Sequence, residues 1–195
     1  MSDFPSDAVV SSDQIIARLS QSLRDAEARI RELERLVYID ELTRVLNRRG
    51  FRQELARCAA YATRYEEPAT LVLLDVDSFK QVNDTYGHPA GDAVLAQVAN
   101  VLNRTVRASD IVARLGGDEF ALILMHAQPE GARRLADNLQ RRVREAPASW
   151  GGQIIPVEVT AGVAPILPNR APEEAMEAAD RDLYAAKRSR KALAV

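Results

Sequence analysis

Apolar side chains recur every three and four positions through the first forty residues, at Ile16, Leu19, Leu23, Ala26, Ile30, Leu33 and Val37. That stripe predicts one amphipathic helix over residues 12–39. With Ile16 at heptad position a, β-branched residues fill three of the four a sites and Leu two of the three d sites. Such a mix favours a parallel two-stranded coiled coil. Arg29 then falls at g and Glu34 at the following e, a pair able to bridge two parallel helices, while Asp25–Arg29 and Glu27–Arg31 give i,i+4 support within one. The alternative is a helix packed on its own domain. The narrow stripe and its charged flanks favour a homodimer. Residues 1–11 are polar, contain Pro5 and have no period, and read as a disordered arm.

From residue 40 the pattern changes. A helix is expected from near residue 43 to about 65, with Phe51, Leu55 and Ala59 inward and Pro68 ending it. Residues 69–75 (ATLVLLD) form a short continuous apolar run, as a buried central strand does. A helix over 91–105 carries Val94, Leu95, Val98 and Leu102 on one face. Two strand-like runs, 111–115 and 120–125, flank Gly116-Gly117-Asp118-Glu119, a hairpin signal. A helix over 129–145, a strand over 155–164 and a helix over 172–191 complete the series. The order fits an α+β domain, an antiparallel sheet flanked by helices.

Composition narrows the function. The 195 residues hold one domain of about 100–150 residues plus an accessory segment. At 47% apolar, a full core is available. A formal charge of −2 offers no basic field for nucleic acid, so a bound nucleotide must be held locally. Cys58 is the only cysteine, which excludes an intrachain disulfide and a multi-cysteine metal site. No run approaches a membrane span and the N-terminus lacks a signal-peptide profile, so the cytosol is the expected compartment. Cations are nearly all arginine; the only lysines are Lys80, Lys187 and Lys191. Each marks a position where a compact ammonium is wanted.

Two segments place acids where acids are costly. Asp75 ends an apolar strand, and Asp118-Glu119 sit at the tip of a hairpin with apolar flanks. A carboxylate there needs a partner, and a divalent cation is an efficient one. If strand and hairpin are neighbours, three carboxylates converge on one edge. Oxygen ligands without a His or Cys cluster argue for Mg²⁺ or Mn²⁺ rather than zinc. Gly116 and Gly117 remove side chains, letting a phosphate or ribose approach the backbone. Solvated turn acids are the alternative.

These residues carry a resemblance. Residues 114–120 (RLGGDEF) resemble the turn that names the GGDEF family of diguanylate cyclases, and residues 75–92 (DVDSFKQVNDTYGHPAGD) resemble its other long motif. Residues 40–51 (DELTRVLNRRGF) and 179–187 (ADRDLYAAK) are similar to its opening and closing motifs. The likeness spans about residues 38–191, which makes 40–195 the expected catalytic domain.

The resemblance implies a palm-like fold shared with nucleotidyl cyclases, and the condensation of two GTP into cyclic di-GMP by a homodimer. It implies metal binding by Asp75, the Val76 carbonyl, Asp118 and Glu119, with Asp118 as base for the ribose 3′-hydroxyl. Asn83 and Asp92 would recognise guanine, with Phe79 and His88 in the same stretch. A carboxylate at Asp92 can accept from the N1–H and 2-amino group of guanine, which adenine lacks. Lys80, Lys187 and Lys191 would face the triphosphate, unless they are ordinary surface lysines. Arg107 and Asp110 match the family's RxxD product-inhibition site in type and offset; a surface ion pair is the alternative. Three departures stand out: Arg44 replaces a usual Gly, Thr160-Ala161-Gly162 a usual Ser-Ile-Gly, and Arg190-Lys191-Ala192 a usual Gly-Arg-Asn. A receptor that binds cyclic di-GMP without making it is the main rival, against which the three retained acids argue.

Overall fold

The computed structural model describes residues 12–193. The chain divides after Val37 into two compact units, each described by itself. The first is helix α1 (Ser12–Tyr38), all but its last residue. Its stripe is solvent-facing: Ile16, Leu19, Leu23, Ile30, Leu33 and Val37 are all exposed, Leu19 at 65%. The expected disordered arm lies outside the described residues, as does the Glu34 side chain of the expected bridging pair.

The second unit begins with a turn. Asp40 accepts from the Thr43 amide and hydroxyl at 2.9 and 2.6 Å, the local bond by which Asp sets a turn. Helix α2 therefore starts at Arg48, later than the apolar spacing alone predicts, and runs Arg48–Tyr65. Asn47 caps it through the amides of Arg49 and Gly50.

The sheet contains β1 (Ala69–Val76), β2 (Ile111–Gly116), β3 (Glu119–Met125) and β6 (Val159–Ile166) in the order β2-β3-β1-β6, every pairing antiparallel. Strand β1 lies between β3 and β6, as its unbroken apolar run requires. Its side chains alternate between two cores. Val72, Leu74 and Val76 pack with helices α4 (His88–Thr105) and α5 (Pro129–Glu145). Leu71 and Leu73 pack with α2 and the closing helix α6 (Pro172–Leu193). Asp75 belongs by parity to the α2/α6 side.

Two expectations need correction. Helix α3 (Phe79–Tyr86) was not anticipated, and α4 starts at His88 rather than residue 91, with Pro89 in its first turn. None of α3 is fully buried, so no apolar period marks it. The expected strand over 155–164 is two elements separated at Pro156, which has no amide hydrogen to give a ladder. Gln153–Ile155 (β5) pairs with Ala148–Trp150 (β4) as a separate hairpin, turned by Gly151 and Gly152 at φ of 57° and 80°.

Candidate active site

The site forms where β1 ends beside the β2–β3 turn. Gly116 and Gly117 hold φ of 137° and 53°, conformations that glycine adopts without steric cost. The turn is fastened from outside. Arg114 donates through Nε and Nη2 to the Gly117 carbonyl at 3.1 and 2.8 Å, and its Nη1 lies 3.3 Å from Asp40. The Val76 amide donates to the Asp118 carbonyl at 3.1 Å. The turn is thus sewn to both the opening segment and β1.

Register does the rest. Asp75 is the direct cross-strand partner of Glu119 and, on its other side, of Thr160. The side chains, however, do not form the expected cluster: among the described residues no three carboxylate, thiol or imidazole groups come close enough to hold a metal ion. Two of the three acids have a cation beside them instead. Lys187 Nζ lies 2.6 Å from Asp75 Oδ1, and Arg48 is 3.8 Å from Glu119. Burial pushes the Asp75 carboxyl above its ordinary value, and Asp118 and Asp77 add to the push, against the hydrogen bond and charge of Lys187. Like-charged carboxylates on one edge account for this arrangement. Hard oxygen donors fit Mg²⁺ or Mn²⁺, with Asp75, Val76, Asp118 and Glu119 as the residues that would hold it.

The other predicted residues fall on the elements that follow. Phe79, Lys80 and Asn83 lie on α3, and His88 and Asp92 on α4; Lys80, His88 and Asp92 are exposed. Asn83 Oδ1 is buried with no hydrogen-bond partner, pressed against Gly91. An orphaned acceptor of this kind is expected where a ligand completes the bonding. Lys191 lies one turn beyond Lys187 on α6, and its side chain is outside those described.

Arg107 and Asp110 sit in the loop before β2. Their contact is not an ion pair: the Asp110 carboxylate accepts from the Arg107 and Met125 amides at 2.9 and 3.2 Å, leaving Arg107 exposed. A cavity of about 650 Å³ adjoins Asp110, lined also by Arg57, Tyr61 and His126.

Sequence reasoning did not foresee one polar cluster at this edge. Asp77, Glu158 and Thr160 gather around Arg190. Asp40 opens the first motif, and its role in holding Arg114 had one signal, the Asp-x-x-Thr turn. Arg44, where the family usually has glycine, holds a φ of 60°.

Residues 37–192 match the family described as "Diguanylate cyclase, GGDEF domain". This chain belongs to the GGDEF family. Among curated GGDEF proteins, it is 34% identical over 161 residues to the probable diguanylate cyclase DgcT of Escherichia coli strain K12, covering 81% of this chain. It is 33% identical over 178 residues to the diguanylate cyclase DgcP of Pseudomonas aeruginosa, covering 90% of this chain. The chain spans only 35% and 26% of the lengths of those relatives. The coiled coil and GGDEF domain of DgcB from Caulobacter crescentus, crystallised with c-di-GMP, matches at a TM-score of 0.80 and 31% identity, covering 90% of this chain and 95% of that one. The antiparallel sheet flanked by helices is thus the GGDEF fold. Among the described residues no helix is long and apolar enough to cross a membrane.

Proposed function

We propose that this GGDEF domain is a diguanylate cyclase that condenses two GTP into cyclic di-GMP and releases two pyrophosphates. The observation that carries the reading is the pairing of Asp75 with Glu119 across β1 and β3, next to the glycine turn that presents Asp118. A divalent cation, Mg²⁺ or alternatively Mn²⁺, would neutralise charge on the reacting phosphates when bound. Asp75, the Val76 carbonyl, Asp118 and Glu119 would hold it, and Asp118 accepts the proton of the ribose 3′-hydroxyl. Each 3′-oxygen attacks the α-phosphorus of the other nucleotide, and pyrophosphate leaves with the P–O bond that breaks. Lys80, Lys187 and Lys191 bind the triphosphate. Gly116 and Gly117 allow close approach of ribose and phosphate. Asn83 and Asp92 select guanine, with Phe79 and His88 beside them.

One domain serves one GTP, so ring closure needs two domains face to face. The exposed stripe of α1 supports a coiled-coil homodimer through residues 12–39, which raises the effective concentration of the second half-site. Residues 40–195 are the catalytic domain, and the compartment is the cytoplasm. Arg107 and Asp110 form a product site through which cyclic di-GMP inhibits, by guanidinium stacking and carboxylate acceptance from guanine.

Incubating purified protein with GTP and Mg²⁺, and separating the nucleotides by chromatography, tests the reading. Cyclic di-GMP is expected from the wild type and roughly 10²–10⁴-fold less from Asp118→Ala, as for loss of a catalytic base. Specific activity should fall as protein is diluted below its dimer dissociation constant. No product, after stripping any copurified cyclic di-GMP, would sink the cyclase reading in favour of a silent receptor.

A further inference from the structure

Two of the positions that depart from the family pattern touch each other. Arg190 Nη1 lies 2.9 Å from Thr160 Oγ1 and 2.5 Å from Asp77 Oδ2, and its Nη2 bonds the Glu158 carboxylate. The Thr160 hydroxyl in turn donates to Asp77 at 2.8 Å. Asp77 also donates its amide to the Glu158 carbonyl at 2.9 Å, so the segments after β1 and before β6 are already joined by backbone. Arg190 adds α6 to that junction. Burial pushes the Glu158 carboxyl up, but the hydrogen bonds and charges of Arg190 and Arg144 outweigh it and hold the group below its ordinary value.

The junction lies close to the chemistry. Lys187 is three residues before Arg190 on α6, and Asp75 is two residues before Asp77. Residues three apart share a helix face, and Asp77 lies in the turn just after β1. The end of α6 is therefore pinned to one edge at two points, Lys187 to Asp75 and Arg190 to Asp77. The two pins are unequal. Lys187 makes one contact from a flexible stem, whereas Arg190 engages three side chains through a planar fork.

We infer that Arg190 is a positioning residue for the triphosphate end of the site. It anchors the last turns of α6, so that Lys187 passes from Asp75 to a phosphate by side-chain rotation alone, without movement of the helix. A glycine at position 190 could not do this. The network of Arg190, Thr160, Asp77 and Glu158 takes over the placement of α6. The inference rests on the reading of Lys187 as a phosphate ligand.

The test compares Arg190→Ala, Arg190→Lys and Thr160→Val with wild type in three measurements. These are KM and kcat for GTP, calorimetric affinity for a non-hydrolysable GTP analogue, and amide hydrogen exchange over residues 186–191. For Arg190→Ala the expectation is a KM raised and an analogue affinity lowered by roughly tenfold, as for loss of charge-assisted bonds. kcat should change less than twofold, and exchange should quicken in that segment. Arg190→Lys, with the charge but not the fork, should recover part of the loss, and Thr160→Val should move the same way by less. Unchanged analogue affinity in folded Arg190→Ala overturns the inference, as does a lower melting temperature with no change in affinity. Should Arg190→Ala fail to fold, unchanged affinity in both Arg190→Lys and Thr160→Val overturns it equally. Analogue affinity and amide exchange read the anchor even if no cyclic di-GMP is made, so its failure and that of the cyclase reading are distinguishable.

Discussion

Lys187 Nζ lies 2.6 Å from Asp75 Oδ1, so a side chain proposed to bind phosphate rests on one proposed to bind metal. The ammonium offsets the charge of a carboxylate that is largely withdrawn from water, only 17% of whose side chain is exposed. A divalent cation arriving at Asp75 must displace it. A divalent cation and an ammonium within about 4 Å repel by about 8 kcal/mol at an effective dielectric of 20, before any relaxation. Lys187→Met should therefore tighten Mn²⁺ binding to the nucleotide-free protein severalfold, read by the loss of the free-ion electron paramagnetic resonance signal. The same variant should raise KM for GTP, because the triphosphate loses a ligand. Mn²⁺ affinity equal to or weaker than wild type would mean that Lys187 does not compete for Asp75.

A second relationship fixes the signature turn, and it has a pH signature. Burial tends to raise the Asp40 carboxyl, but hydrogen bonds from Thr43 and the charge and hydrogen bond of Arg114 outweigh it, and the group titrates below its ordinary 3.8. A carboxyl depressed on folding contributes stability above its unfolded value and loses it as pH falls through its folded value. Asp40→Ala should cost about 1–3 kcal/mol at neutral pH, since Arg114 and Thr43 lose a charged acceptor. For a domain of this size each kcal/mol is worth about 2–4 °C of melting temperature. The gap between wild type and variant should stay open at neutral pH and close only as pH drops below 3.8. Thermal melts at stepped pH measure it; a gap constant down to the acid limit would exclude the ion pair as its source.

What the sequence displayed and what it hid follow from burial. Strand β1 was legible because both of its faces are covered, and the β2–β3 hairpin because two glycines interrupt two apolar runs. Helix α3 was hidden because none of its residues is fully buried, although it carries Asn83. The β4–β5 hairpin is three residues a side with only Ala148 and Ile155 buried, too short to show a period. The acids proposed to hold metal stood out as charges at the ends of apolar runs. Arg190 was visible as a departure from the family pattern, but its role was not, because its partners lie 30 to 113 positions away. Long-range polar contacts leave no periodic trace.

Two glycines near the site separate placement from stability. At Gly162, an added Cβ would lie 2.2 Å from the Ala179 carbonyl oxygen and 2.3 Å from the Leu183 amide nitrogen. Both obstacles are backbone of α6, so Gly162→Ala must push the helix off β6. Overpacking of this kind costs about 1–3 kcal/mol, occasionally more. At Gly91 the obstacle is different: an added Cβ would lie 2.0 Å from Asn83 Oδ1, the end of a side chain that can swing away. That oxygen already lacks a partner, so little bonding is lost when it moves. Gly91→Ala should therefore melt within a few degrees of wild type yet bind a non-hydrolysable GTP analogue severalfold more weakly, because Asn83 no longer stands where guanine needs it. Gly162→Ala should show the larger fall in melting temperature. Wild-type analogue affinity in Gly91→Ala, with Asn83 displaced, would remove Asn83 from the guanine site and leave selection to Asp92.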